Sequence, residues 1–584
     1  MKKSGKLLTL LLSCVMACGM AAFTGCKSGG DEIKTDPTKT QLYIFNFDSG
    51  YGTAWFNSLI SRFETAYANE SFETGKTGVQ IIPDNRKEWF TGGAGSIVSS
   101  QNELFYTEYM YFQAPHTDGA YADITEAVTT PLTEFGENKS IVDKMTAQQR
   151  EYFSDPVTTA TGEGQNGAYD ASQDTRKYYA LPHYAGYEGI VYNIDLFDAR
   201  GYYFSESRKS NPDINERFTD DKTDLTAGPD GTKGTDDDGL PATYDDFYML
   251  CDFIAADSGR APLTWTGKNY KTYVMGVQTA LHADYEGAEQ MRLNFSLNGT
   301  ATSLLKTSDL TPDAPLAITP TNAYELSRQA GRYYGTSFIE KVVKTSNWRT
   351  AQVFNSGVSQ TDAQTNFVSA GYDGKTNDIA MLIDGCWWEN EARSNIADVA
   401  SRYGAPDGKT RKFGWMPLPK ANAAKVEEAK ANLAANGKSQ TLYDTLMGQF
   451  FMNSSIADWK KPLAEKFIRF AHTDESLRDF SRITSSLKAF EYELTEDDMN
   501  SMTEFGRSLH KQRKKADVVY PQSKATLFSN NQSKFERNAY YGSTAGGKDW
   551  TFAAEAFFEN KHLSAEEFFK GMITYQRKLW NGME

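Results

Sequence analysis

The apolar positions of this chain fall first into a compact run and then into a strand, helix, strand alternation. Gln41 to Phe47 (QLYIFNF) predicts a buried strand, and the Gly-rich loop Asp48-Ser49-Gly50-Tyr51-Gly52-Thr53 follows it. Trp55, Phe56, Leu59, Ile60, Phe63 and Tyr67 then recur at helical spacing, and Gly78 to Pro83 (GVQIIP) returns to a strand pattern. Such a unit predicts a parallel pair joined by a right-handed crossover. Further strands are expected at Leu104–Tyr106, Gly189–Tyr192, Ile379–Ile383 and Phe413–Met416, and Ala122 to Thr125 reads as a turn into a helix. Ser154 to Lys177 is polar and Gly-rich, the pattern of a surface loop. Pro212 to Pro241 is acidic, Gly-rich and almost without apolar residues, and mostly helical patterns come after it. Near the end, Ser564 with Glu567 makes a capping box, and Phe568, Met572, Tyr575 and Leu579 are expected to line one face of the last helix. No internal repeat is visible.

The first 26 residues follow another logic. Lys2, Lys3 and Lys6 give a basic start, Leu7 to Met20 is uncharged and apolar, and small residues lead into Phe23-Thr24-Gly25-Cys26. That order is a secretory signal, and its apolar part is too short for an ordinary membrane span. The cysteine at the cleavage point resembles a bacterial lipoprotein signal, which implies that Cys26 becomes the lipidated first residue. A plain secretory signal with an incidental Cys is the simpler alternative, and Phe23 departs from the Leu usual at its position. Lys27 to Thr40 has almost nothing to bury and reads as a solvated tether. A domain held by a lipid anchor on the outer face of a bacterial membrane is therefore expected.

With 584 residues the chain exceeds one ordinary core, so two or more domains are expected. The net charge of −15 becomes about −18 once the three signal lysines leave, which argues against nucleic acid or anionic lipid bound through a charged patch. Cys251 and Cys386 are the cysteines outside the signal. They could form one bridge, but two buried thiols is the blander reading. The 32 Tyr, 35 Phe and 10 Trp exceed what a core needs and hint at a flat, partly apolar ligand.

Five segments, in order, resemble the extracellular solute-binding proteins of ABC importers, specifically the carbohydrate-binding group called family 1. The first is the opening strand, loop and helix. Tyr179 to Asp198 (YALPHYAGYEGIVYNIDLFD) is similar to the segment that crosses between lobes, and Ala380 to Ala392 (AMLIDGCWWENEA) to the strand, Gly turn and Trp at the ligand cleft. Phe413 to Lys420 (FGWMPLPK) resembles the short strand and Pro turn that follow, and Lys461 to Ser476 (KPLAEKFIRFAHTDES) the helix after the chain returns to the first lobe. The resemblance implies an α/β, two-lobed periplasmic-binding-protein-like fold closing on a sugar. It implies one lobe from 41–182 plus 449–490, and a second from 183–448 plus 491–584 with the C-terminal helices. A monomer that delivers carbohydrate, an oligosaccharide for preference, to ABC permease subunits is the function it implies, without catalysis and without a required cofactor.

A sugar presents apolar CH faces and a ring of hydroxyls, so its pocket needs flat rings and orienting polar groups. Trp387, Trp388 and Glu389 supply both just past a Gly turn at a strand end, where open α/β sheets bind ligands, although both rings could instead pack inside. Trp265 sits in a polar loop, as a cleft ring or a loop anchor. Tyr51 and Trp55 lie on the first strand-to-helix loop, where Trp55 also fits the buried helix stripe. Tyr184, Tyr187 and Glu188 lie in the crossing segment, while His183 reads as structural.

In Asp224 to Asp238 (DLTAGPDGTKGTDDD), Asp230, Thr232, Gly234, Asp236, Asp237 and Asp238 place oxygen donors at short intervals, as a structural Ca²⁺ requires. No bidentate Glu completes an EF-hand, though some relatives are thought to carry an EF-hand-like calcium loop on this lobe, and a solvated acidic loop is the alternative. Gly162 to Gly167 fits GxGxxG, but no strand precedes it and no apolar helix follows; the six histidines have no metal-ligand spacing. The rival function is a cell-surface glycoside hydrolase, which needs two carboxylates about 5–9.5 Å apart, with Glu389 and Glu391 available.

Overall fold

The computed structural model describes residues 34–583 except 49, 109–110, 156–160, 164–168, 373–376, 404–410, 446–447 and 536–540. Cys26, residues 27–33 of the tether and the core of the GxGxxG match lie outside the described residues, and Thr40 at the tether's end already opens the first strand.

Two mixed sheets organise the molecule. Their strands, in chain order, are β1 (Thr40–Phe47), β2 (Val79–Arg86), β3 (Leu104–Thr107), β4 (Ala180–Pro182), β5 (Glu188–Asn193), β6 (Arg260–Thr264), β7 (Asp378–Gly385), β8 (Phe413–Met416) and β9 (Gln449–Met452). The first sheet has the order β2-β1-β3-β9-β4 and the second β6-β7-β5-β8. In the first, β1 runs parallel to β2, with Thr40 opposite Val79 and Phe47 opposite Arg86, and parallel to β3, while β9 is antiparallel to β3 and β4. In the second, β6 and β7 are parallel, and β5 is antiparallel to both β7 and β8. This is an α/β protein of two lobes, each built on its own sheet.

The opening unit forms as the sequence pattern dictates. The helix Ala54–Ala66 buries Trp55, Phe56, Leu59 and Phe63, and Phe63 meets Phe467 and Phe470 of the helix Lys461–Ala471 edge-on at 5.1 and 5.4 Å. Each such ring contributes about 1.5–3 kcal/mol of burial, enough to hold the crossover on its sheet.

Three stretches link the lobes. Between β4 and β5 the chain crosses through 183–187, returns ahead of β9 with Tyr443–Thr445 and Gly448 beside this crossing, and crosses again through 485–490. Backbone bonds bind the three together: His183 N–H donates to Gly448 O (3.1 Å), Ala185 N–H to Leu487 O (3.0 Å) and Thr445 N–H to Gly186 O (2.7 Å). Tyr184 and Lys488 pair across the same joint. The helix Glu504–Lys514 then lies on the second sheet, where Ser508 Oγ accepts Trp415 N–H at 2.7 Å.

Two local readings are corrected. The expected loop at 154–177 contains an antiparallel pair, Thr161–Glu163 with Tyr169–Asp174. Asp174 anchors it, accepting the hydroxyls of Tyr169 and Tyr178 and bonding Arg176 at 2.7 Å. In the last helix, Ala565–Trp580, the Ser564–Glu567 capping box is present, but the buried stripe is Phe568, Phe569, Met572, Gln576 and Trp580. Tyr575 and Leu579 lie beside it, because the neighbouring strand Ser543–Ala545 meets the helix a fraction of a turn away from the expected face. Cys251 and Cys386 are buried free thiols.

Candidate functional site

A cleft of about 980 Å³ lies where strands of both sheets end. From the first lobe it receives the segments after β1 (Asp48, Gly50, Tyr51), after β2 (Lys87, Trp89) and after β3 (Glu108, Tyr111). These strands are mutually parallel in the order β2-β1-β3, so three successive carboxyl ends open onto one space, the placement expected of ligand sites in α/β sheets. The second lobe supplies Asn269, Thr272 and Tyr273 after β6, Trp387, Asn390 and Glu391 after β7, and Gln360 with Thr361 at the start of the helix Gln360–Ser369. Asn269 Nδ2–H donates to Gln360 Oε1 at 3.2 Å, fixing two of these loops to one another. Tyr443, Phe528, Gln532 and Phe535 complete the wall.

The lobes meet at one edge of this space. A Cβ on Gly50 would stand 2.9 Å from Trp387 Cδ1, so the first-lobe loop approaches that indole only because residue 50 is glycine. The ring of Trp387 also lies over Gly385 of its own turn. Tyr51 Oη donates to Ala185 O at 2.8 Å and stands 3.3 Å from Cys386 Sγ. Asn390 Nδ2–H reaches Thr484 O, across the lobes, at 2.7 Å.

Of the candidate binding residues, Tyr51, Glu188 and Trp387 line the cleft. The others do not, and each has a physical reason. Trp388 opens the helical turn Trp388–Glu391, which rotates it about 100° from Trp387. It is fully buried against Phe367, Phe413 and Phe505 at 5.8, 5.1 and 5.6 Å. Trp265 follows β6 directly and is fully buried with Phe354 against its ring. Trp55 keeps to its helix stripe, edge-on to Tyr106 and Phe480. Tyr184 is buried and hydrogen-bonds Glu108, and Tyr187 is held by the Cys386 thiol, which accepts its N–H at 3.3 Å. Glu389 accepts Thr503 Oγ1–H at 2.7 Å away from the cleft wall, and burial pushes its carboxyl up to about 7. His183 is structural: it is buried, with Lys488 Nζ 3.0 Å from its Nδ1, and that ammonium sits 4.1 Å from the Trp55 ring and 4.6 Å from Phe480. Burial lowers the pKa of both partners.

Sequence reasoning missed Trp89, Tyr111, Tyr273 and Tyr443. Trp89 is 54 % exposed and lies 6.3 Å from Phe47. Lys87 and Trp89 directly follow the observed strand Val79–Arg86, which runs three residues past the predicted end at Pro83, so they were not recognised as the start of a ligand loop. Phe528, Gln532 and Phe535 carry no such signal.

A carboxyl pair runs inward from the wall, Glu391 lining the cleft and Asp384 buried behind it. Gln364 Nε2–H donates to Asp384 Oδ2 (3.1 Å) and to Glu391 Oε2 (2.8 Å). Burial raises both carboxyl pKa values, and for Asp384 the charge of Glu391 adds to the effect.

On the acidic loop, Lys515 Nζ lies 3.0 Å from Asp230 Oδ2 and Lys511 Nζ 2.6 Å from Asp236 Oδ1. Asp237 Oδ2 accepts Asp230 N–H, and Asp238 Oδ2 accepts Gly234 N–H. The loop is thus held by lysines and its own amides. Among the described residues, no group of three or more His, Cys, Asp or Glu is arranged to hold a metal ion.

No family model and no curated protein matches this chain. Among solved structures it is similar to the SBP RafE in complex with raffinose, at a TM-score of 0.47 and 12 % identity over 93 % of this chain and 99 % of that one. A chitin oligosaccharide binding protein gives a TM-score of 0.49 and 13 % identity over 93 % and 100 %. The apo-form of RafE from Streptococcus pneumoniae gives 0.48 and 12 % over 94 % and 99 %. The functional reading rests on the cleft itself.

Proposed function

We propose that this chain is the extracellular solute-binding component of an ABC importer, capturing an oligosaccharide between its lobes and presenting it to a membrane permease. The observation that carries this reading is the cleft: parallel strand ends from one lobe face loops of the other, with Tyr51, Trp89, Tyr273 and Trp387 set among amide and hydroxyl side chains. Rings match the CH faces of a pyranose, and Asn269, Thr272, Gln360 and Gln532 match its hydroxyls. A space of about 980 Å³ is at the upper end of small-molecule pockets, roughly 300–1,000 Å³, which suits several sugar units better than one. Of the two carboxylates considered for hydrolysis, Glu391 lines the cleft and Glu389 does not; other carboxylates line it too, so product analysis is what separates binding from cleavage. A thermal-shift screen against oligosaccharides, followed by product analysis of each hit, tests the proposal. A raised melting temperature with intact sugar is expected. Cleaved sugar would establish an enzyme, and no hit among saccharides of any kind would refute carbohydrate binding.

We propose further that Cys26 is the lipid-modified N-terminus of the mature protein, on the strength of the basic, apolar, small-residue order before it. Cys26→Ser is expected to release the protein into the medium or to stop processing. Membrane retention of a processed Ser variant would contradict the anchor. A structural Ca²⁺ on the acidic loop remains a proposal that requires Asp230 and Asp236 to exchange their lysine partners for the ion. If it binds the folded form, EDTA lowers the melting temperature and Ca²⁺ restores it; no change in either direction refutes the site.

A further inference from the structure

The two ends of the cleft differ in a way that bears on how a saccharide lies in it. In the first lobe the strand order β2-β1-β3 sets the sequence of the wall: Trp89 after β2, Tyr51 after β1, then Glu108 and Tyr111 after β3. Neighbouring strands lie about 4.8 Å apart, so these three loops span roughly 10 Å of the cleft. β2 is the edge strand, and the indole that follows it is 54 % exposed. The cleft is open at this end.

The other end is closed. Beyond β3 stands the segment carrying Phe528, Gln532 and Phe535, which are 2 %, 9 % and 5 % exposed. Tyr111 Oη donates to Gln532 O at 3.4 Å and ties that segment to the loop after β3. Phe528 packs on Phe535 at 4.9 Å and on Phe295 of the helix Tyr270–Ser296 at 6.1 Å. Phe535 in turn meets Trp580 of the last helix at 5.4 Å. Rings backed by two helices in this way form a fixed stop across the cleft, because a packed cluster yields little to a ligand.

Gln532 adds a donor to the stop. Its Nε2 is buried and has no hydrogen-bond partner among the described residues. A buried N–H without an acceptor is costly, and a turn of the terminal amide would bring it to a saccharide oxygen that reaches this end. The contact at the open end is of another kind. An indole face stacks on whichever sugar unit lies over it and reads no particular hydroxyl.

We propose that the cleft recognises an oligosaccharide by one chain end, seated against Phe528 and Phe535 with an oxygen on Gln532 Nε2, while the rest of the chain runs out over Trp89. The protein then binds a set of saccharides that share a terminus and differ in length, and units beyond Trp89 add little to affinity. The inference rests on the reading of the cleft as a saccharide site.

The test is calorimetric titration of the whole protein with a series of one linkage, from the disaccharide upward. The longest binder is also carried in two forms, with a bulky tag on its reducing or its non-reducing end. A tag on one end is expected to weaken binding about tenfold or more, and a tag on the other to be tolerated. Trp89→Ala should leave the shortest binder unchanged and weaken the longest about tenfold, whereas Gln532→Ala should weaken every length by a similar factor. Tolerance of the tag at both ends, rejection at both, or a loss in Trp89→Ala that is the same at every length overturns end recognition and leaves the saccharide site in place. Absence of binding by any saccharide overturns the saccharide reading and this inference with it. Melting curves verify that each variant folds, and the comparison of tags requires no variant.

Discussion

Trp388→Ala is expected to destabilise the protein by about 3–5 kcal/mol, the range for removing a large buried ring. The indole is fully buried and sits within 6 Å of three phenylalanine rings, which cannot all collapse into the space it leaves. Trp388→Phe keeps most of that packing and should recover much of the loss, the more so because the indole Nε1 has no hydrogen-bond partner to forfeit. Trp265→Ala should behave alike, for its ring is equally buried and its Nε1 equally unpartnered. Denaturant titration of each variant measures the effect. A change below 1 kcal/mol would mean that these rings are not core, and that the cleft has a different wall from the one described.

Trp89→Ala should show the opposite behaviour. Its ring is more than half exposed, so folding should be nearly indifferent to its loss. A stacking ring contributes about 0.5–1.5 kcal/mol beyond its buried area, so removal is expected to weaken oligosaccharide binding about tenfold or more. Trp387→Ala should weaken binding by a similar factor, with some loss of stability, because that ring is also packed between Gly385 and Gly50. Calorimetric titration with a screened saccharide, with melting curves in parallel, separates the cases. Parent-like binding by both variants would remove these rings from the site.

The contrast between Trp387 and Trp388 shows where the sequence stops being informative. Their segment was legible as a strand, a glycine turn and an aromatic pair, and the strand does end at Gly385. Which ring turns outward depends on a single helical step of about 100°, and that step is set by the phenylalanines waiting on one side. No pattern in the pair itself encodes it. Trp55 was ambiguous for the same reason, lying on both a ligand loop and a helix stripe, and the stripe prevailed.

The sheets were legible to a greater depth. β1, β2 and the helix between them follow from apolar periodicity alone, and Phe413–Met416 forms with the expected bounds. The crossing at 183–187 was implied by the resemblance of Tyr179–Asp198 and not by a pattern in its own residues; in the structure β4 and β5 belong to different sheets. The long helix Tyr270–Ser296 was less legible than the sheets: it is buried on most sides in its first half and interrupted at Gly287, where φ is 76°, so no single amphipathic stripe marks it. The cleft residues from 521–535 could not be read at all, since their place in the wall depends on the chain returning from the second lobe after the strand Ala516–Val519.

Hydrogen exchange with and without a bound oligosaccharide tests most directly whether the ligand lies between the lobes. Slowed exchange is expected at once in the first-lobe segments 50–52 and 87–89 and in the second-lobe segments 269–273 and 387–391, which face each other across the cleft. Protection confined to one lobe, or to surfaces away from these four segments, would contradict the account.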